Sequence, residues 1–382
     1  MTSALRAPRS LLRALLCWLC LHSLAHAAGP LRLGFTQELG RDGYIETEDG
    51  GSTSDLYSES TFRVAPSHPL VFLDRKLTFG PQVAVSYTKY MEVTELDNVG
   101  YDIKGPLTLR LEGIGDETDS LTLAAGVTRK TGDVSTTNQA QATSTRFGLK
   151  GLYTRHWASP RWTSEFGYDY DQVMYDDTEY QDRDRITHTL STALLYGLNR
   201  ATQVGLRTSY AMESYSDSTR LSSDTWTVEG LVRRKITDRI TGELALGEEM
   251  VSYDDGASDS GITARGRLDY QVTPRWHLGG TLSRRLESAD TPGETGYTTT
   301  SADLTAAYRF TPRFTVRGGP GMMTQDSEDQ PSERRLALEA TYEFGRFDLT
   351  VLTRLTDRTS ESADEDASYT AVDAAIRLDV EF

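Results

Sequence analysis

The feature that most restricts this chain is a turn phrase that keeps returning between stretches of alternating polarity. It reads Ser159-Pro160-Arg161-Trp162, Asn199-Arg200-Ala201-Thr202, Thr237-Asp238-Arg239-Ile240, Thr273-Pro274-Arg275-Trp276, Thr311-Pro312-Arg313-Phe314 and Gly345-Arg346-Phe347. Its arginines, at 161, 200, 239, 275, 313 and 346, stand 33 to 39 residues apart. Proline presets φ for a turn and cannot join a central ladder, so the phrase marks the ends of strands. The flanking stretches have a period of two. Leu336, Leu338, Ala340, Tyr342 and Phe344 share one face, and Phe347, Leu349, Val351 and Leu355 continue it past Gly345. Polar, acidic segments separate successive turns, at 175–184, 216–223, 254–260, 290–296, 325–332 and 357–367. Short turns at one end and longer loops at the other predict an antiparallel up-and-down barrel. A propeller would show no consistent difference between its two ends.

About 18 strands fit the pattern, the first at 31–45 and the last at 368–382. Sixteen is the fallback, because 66–81 is long for a tight turn. An even number returns both termini to the same rim. Trp162, Trp276, Phe310, Phe314, Phe344 and Phe347 gather at the short-turn end. Tyr170, Tyr175, Tyr210, Tyr215, Tyr253 and Tyr297 gather at the long-loop end, and together the two groups predict aromatic girdles at both faces of a membrane.

Residues 1–27 have the organisation of a secretory signal, with Arg6, Arg9 and Arg13 before the apolar run 14–21 and Ala25-His26-Ala27 as cleavage site. The expected division is therefore a signal peptide, 1–27, and one barrel, 28–382. Both cysteines, Cys17 and Cys20, fall in the leader, which excludes a disulfide framework or thiolate metal site from the mature chain. Removing three arginines leaves 37 basic against 56 acidic residues. That balance argues against nucleic acid as a partner, since phosphate contacts require a basic face. A mean hydropathy of −0.47 excludes a helical membrane protein but not a barrel, in which only alternate residues meet lipid.

If the oily positions face lipid, the alternate positions line the lumen. Arg207, Arg233, Arg265, Arg267, Arg309, Arg317, Arg335 and Arg377 are then the candidate substrate contacts. Glu165, Glu229, Glu243, Asp269, Asp303 and Asp379 interleave with them, so a cross-strand ion pair is the favoured expectation for any single arginine. The acidic outer segments lack EF-hand spacing, and no metal or cofactor is expected. His188 shares the phase of Leu190, Leu194 and Leu198, opposite to Ser191, and there is no G-x-S-x-G elbow. No enzyme is expected.

The final stretch alternates Val372, Ala374, Ile376, Leu378, Val380 and Phe382 with Asp373, Arg377, Asp379 and Glu381. Ile376, Leu378, Val380 and Phe382 resemble the assembly signal of bacterial outer-membrane β-barrels, although the aromatic often found two or four residues before the end is absent. With the Thr-Pro-Arg-aromatic turns and the Tyr- and Asp-rich outer loops, the chain resembles the β-barrel porin-2-like proteins. These include the eighteen-stranded Wzp-type barrels of exopolysaccharide secretion loci. The resemblance implies the outer membrane of a Gram-negative bacterium, insertion by the barrel-assembly machinery, and contact with outer-membrane lipid and lipopolysaccharide. It also implies a conduit exporting a polysaccharide delivered by a periplasmic polysaccharide-export protein. The alternatives are a diffusion porin for small polar solutes, or a structural or adhesive surface barrel. A long inward-folding loop would favour the porin, but most loops here are short.

Overall fold

The structure, a computed structural model, describes residues 31–46, 52–72, 77–92, 97–111, 119–133, 141–157, 161–217, 219–288, 296–326, 332–359 and 369–382. The expected leader lies outside the described residues, as do most of the acidic segments at 290–296, 325–332 and 357–367. Twenty strands occur among the described residues. They are β1 (Leu31–Glu46), β2 (Ser52–Pro66), β3 (Leu70–Phe72), β4 (Leu77–Phe79), β5 (Gln82–Tyr90), β6 (Asn98–Leu111) and β7 (Asp119–Asp133). Next come β8 (Gln141–His156), β9 (Trp162–Tyr175), β10 (Arg185–Asn199), β11 (Thr202–Tyr215), β12 (Ser223–Thr237), β13 (Ile240–Tyr253) and β14 (Ser258–Gln271). The last six are β15 (Trp276–Glu287), β16 (Tyr297–Thr311), β17 (Phe314–Asp326), β18 (Ser332–Glu343), β19 (Phe347–Thr359) and β20 (Tyr369–Glu381).

Each strand pairs antiparallel with its neighbours, and β1 closes the circle by pairing with both β2 and β20. The seam is held to the last residue, with Phe382 N–H donating to Leu33 O at 2.8 Å. Closure leaves no unpaired edge in the wall, which is the condition for a sheet to sit in hydrocarbon. Eighteen strands surround the barrel, because β3 and β4 are extensions of others. β4 pairs with β6 at Leu77↔Leu109, while β5 pairs with the same strand at Gln82↔Lys104. The two are halves of one strand interrupted at Gly80-Pro81, where Gly80 N–H still reaches Pro106 O at 3.0 Å. Residues 66–72 and 77–81 thus belong to the far end of a long hairpin, so the higher of the two strand counts holds.

Alternation becomes two faces because the register carries its phase around the circle. One row runs Trp276↔Tyr308↔Val316↔Ala340↔Val351↔Ile376↔Leu39, all outward. A slip of one residue would send the whole set inward. Large apolar residues are exposed on the outward face, as in Leu304 at 62% and Ile376 at 54%, which suits lipid rather than water. Val380 is the exception in its strand, covered in register by Phe35 and Phe347.

The short-turn rim carries a continuous aromatic chain. Trp276, Tyr308, Phe310, Phe314, Tyr342 and Phe344 follow one another at centroid separations of 4.6, 4.5, 5.3, 6.2 and 4.3 Å. The outer girdle differs from expectation. Tyr170 and Tyr210 face outward with Tyr168 and Trp226, but Tyr175, Tyr215 and Tyr253 have the opposite phase and point into the barrel mouth. Their position at strand ends was legible; their face depended on the register.

Candidate solute path through the barrel

All eight candidate arginines lie on the inward face of the register. Three of them belong to one chain of alternating charge. Arg233 Nη1 meets Glu165 at 2.8 Å, and its Nε meets Glu243 at 2.7 Å. Arg207 stands 3.5 Å from Glu243 and 3.8 Å from Glu229. Arg265 grips Glu229 with two nitrogens, Nε at 3.0 Å and Nη2 closer still. The sequence Glu165–Arg233–Glu243–Arg207–Glu229–Arg265 therefore links β9 to β14 and carries no net charge. Glu229 is the central node and is almost wholly buried. Between the rows of Glu165 and Arg233 runs the row Leu195↔Gly205↔Leu231↔Ala245, whose three apolar members are buried. A guanidinium can cross two strands here because alanine and glycine occupy the neighbouring inward sites.

Arg335 repeats the device from β18, reaching Asp303 on β16 at 3.3 Å and Glu333 on its own strand at 3.3 Å. The intervening strand presents Gly321, where a Cβ would stand 2.4 Å from Asp303 Oδ1. Arg377 on β20 clasps Glu38 on β1 at 2.5 and 2.6 Å, and Tyr57 donates to the same carboxylate at 2.6 Å. Arg267 pairs with Asp269 on its own strand at 2.8 Å. Arg309 and Arg317 are exposed on the inward face, and no carboxylate pairs with either among the described residues. Six of the eight are thus engaged with carboxylates.

A recess in the wall is lined mostly by residues outside the candidates, Arg377 being the one candidate among them. Between β20 and β7 lies a cavity of ≈ 300 Å³, lined by Thr36, Glu59, Thr61, Arg63, Ser86 and Asp379 among others. Its inward rows are ordered. Gly34, Arg63, Ala84 and Asp102 form one; Thr36, Thr61 and Ser86 form the next; Glu38 and Glu59 form a third. Thr61 donates to Glu59 at 3.0 Å and Thr36 to Asp379 at 2.5 Å. Arg63 stands between two small residues, and no carboxylate pairs with it among the described residues. The phase of Phe62 and Val64 would have placed Arg63 inward; what the sequence lacked was a sign that its neighbours are small.

The outer mouth over β9 to β15 is partly closed from inside. Leu221, from the connection between β11 and β12, packs with Val251, Tyr253 and Leu286 in a buried cluster. Arg220 in the same connection reaches Asp182 at 2.5 and 2.8 Å, tying it to the short 3₁₀ turn Thr178–Arg183. Thr219 N–H donates to Asp217 at 2.8 Å and holds that carboxyl below its ordinary range. A connection of seven residues thus suffices to bring one leucine against Val251 and Tyr253. His188 faces outward as expected, 3.0 Å from the Tyr168 hydroxyl. Among the described residues no group of acids, histidines or cysteines is arranged to hold a metal.

A closed barrel with a charged interior matches a known family over most of its length. Residues 81–380 fit the model described as putative beta-barrel porin 2. The chain belongs to this family. It is a porin-like barrel of the outer membrane of a Gram-negative bacterium, in a family of channels rather than enzymes. Among solved structures, the outer membrane protein OpdK of Pseudomonas aeruginosa is 10% identical, with a TM-score of 0.51 over 93% of this chain and 99% of its own. OccK2 (OpdF) of the same organism is 12% identical, with a TM-score of 0.51 over 93% and 99%. The FrpB iron transporter of Neisseria meningitidis is 8% identical, with a TM-score of 0.51 over 94% and 84%. At such identities the likeness is one of fold. No curated protein matches the chain.

Proposed function

We propose that this barrel is a diffusion porin for small polar solutes. The observation that carries the reading is the state of the inward arginines. A conduit sliding a polymer past a ladder of cations needs those cations free, whereas Arg207, Arg233, Arg265, Arg335 and Arg377 are each held by carboxylates on other strands. A wall so paired is polar and rigid, which suits passage of small hydrated solutes with little retention. The cavity around Arg63, Thr61 and Ser86 supplies the exchangeable contacts, with one guanidinium that pairs with no carboxylate among the described residues and a row of hydroxyls. The inward Leu221 cluster narrows the mouth, as a sieve for small molecules requires.

Export of a polysaccharide with a periplasmic export protein is the second reading. The row Thr36, Thr61 and Ser86 favours it, since hydroxyls and carboxylates match sugar hydroxyls. Proteoliposome swelling separates the two. Purified barrel is expected to pass sugars of one or two rings at rates that fall steeply with size, and a deletion strain is expected to keep its surface polymer. Impermeable vesicles together with loss of surface polysaccharide, restored by the gene, would replace the porin with the exporter.

A further inference from the structure

Two opposite charges on the outer surface of the wall have no use in the solute path. Glu248 on β13 lies in register between Val228 and Ile262, both exposed outward residues. Arg284 on β15 lies between Ala264 and Thr300, in the phase of the outward Leu282. Both side chains are exposed, and neither makes a hydrogen bond or ion pair among the described residues. Each stands nine residues beyond the arginine of its turn phrase, Arg239 or Arg275, so the two share one depth. From the rise per residue and the tilt of barrel strands, that depth is about 20 Å above the short-turn rim. It falls inside an apolar band about 25 Å tall. Trp226 and Met250, the next outward pair towards the loops, are again exposed and apolar. An ionised side chain set in such a face calls for a partner.

A phosphate would answer Arg284 and repel Glu248. A second copy of the chain, turned by half a revolution about the membrane normal, answers both, because that rotation preserves depth. The two Cα atoms are about 12 Å apart across β14, from strand spacing and rise. Midway between them β14 presents Ile262 just above their level and Ala264 just below it. An axis in front of β14 therefore sets Glu248 against Arg284 of the partner subunit, and the same pair recurs on the other side. Ile262, 67% exposed, meets its own copy on the axis, while Ala264 and Gly266 beneath it let the two walls approach. We propose that the barrel pairs with a second copy of itself across the β13–β15 face, through two Glu248–Arg284 bridges flanking Ile262.

The test uses the purified full-length barrel in lipid vesicles over a range of protein-to-lipid ratios, with subunits counted by photobleaching of a terminal dye. Wild type is expected to pair as the ratio rises. Glu248→Arg and Arg284→Glu each juxtapose like charges and should weaken pairing about a hundredfold. A mixture of the two variants should form heterodimers, since every contact is again between opposite charges, and the double exchange should restore the homodimer. Ile262→Cys, in a mature chain expected to lack cysteine, should cross-link to its own copy on oxidation. Leu338→Cys, exposed on the outward face of β18, should not. Monomeric wild type at every ratio, pairing unchanged by the charge reversals, or equal cross-linking at Leu338 would each overturn the interface. Lipid A held by a monomeric wild type and lost in Arg284→Glu would give the face to lipid instead. Heat-modifiable migration confirms that each variant is folded, and Ile262→Cys, with the native charges, keeps the test decisive if the reversals are not.

Discussion

Replacing Glu229 by Gln removes the central node of the alternating charge chain while keeping its shape. In the native barrel this carboxylate is 1% exposed; it accepts twice from Arg265 and lies 3.8 Å from Arg207. The amide offers one acceptor oxygen in place of two and carries no charge to balance two guanidiniums. Removing one partner from a buried pair costs on the order of 3–5 kcal/mol. Arg265 is half-exposed and regains solvent, which discounts its share. Arg207, at 18% exposure, keeps Glu243 at 3.5 Å as its one carboxylate among the described residues. The expected loss is about 3 kcal/mol, roughly a hundredfold in the folding equilibrium. It is measured by urea titration in lipid vesicles with tryptophan fluorescence, using the linear dependence of stability on denaturant. Glu229→Gln combined with Arg265→Gln should recover part of the loss, because no charge is then left without its neighbour. The same single variant leaves two guanidiniums turned into the lumen, so its reversal potential in a salt gradient should move towards anions. A loss below about 1 kcal/mol, with unchanged selectivity, would show that water inside the barrel already screens the chain and would refute the reasoning.

Other perturbations probe separate parts of the wall. Gly321→Val places a side chain where Asp303 stands, and should break its bridge to Arg335 at a cost of about 1–3 kcal/mol, read by the same titration. Arg63→Glu should turn single-channel selectivity towards cations without altering the folded fraction, since Arg63 supports no ion pair among the described residues. Deleting Phe382 removes the seam bond to Leu33 and the last outward residue of the terminal strand, so the heat-modifiable fraction recovered from membranes should fall several-fold. The depressed Asp217 carboxyl stabilises the β11–β12 connection above the ordinary carboxylate range; that contribution is lost as pH falls through its folded value, and amide protection at Thr219 should fall with it.

Much of the barrel was legible because a lipid-facing sheet writes itself into the sequence every second residue. Leu336 through Phe344 and Phe347 through Leu355 could be assigned a face without any partner being known. Inward residues carry a weaker record. That Arg207 and Glu229 share a face followed from phase, but the bond between Arg233 and Glu165, 68 positions apart, depends on crossing Ala193 and Gly205, two strands away. The same holds at Arg335, where Gly321 decides the pairing. Residues 66–81 looked like a loop because Gly80-Pro81 interrupts the alternation, although the backbone resumes its ladder on either side. Tyr175 and Tyr253 were placed at the correct end and on the wrong face, since composition near a strand end gives height without direction.

The seam between β1 and β20 also sets the order of events in making this molecule. Thr36 and Asp379 touch across 343 positions, and no other neighbouring strands in the wall are so far apart in the chain. Each hairpin can form from local sequence as it appears, but the final ladder must wait for both ends of the chain. Until then the sheet has two raw edges and an oily face without lipid, the combination that most readily templates pairing with a stranger. Assembly is therefore most vulnerable when it is most nearly complete, and a defect confined to the last few residues leaves an almost finished wall that can neither close nor disperse.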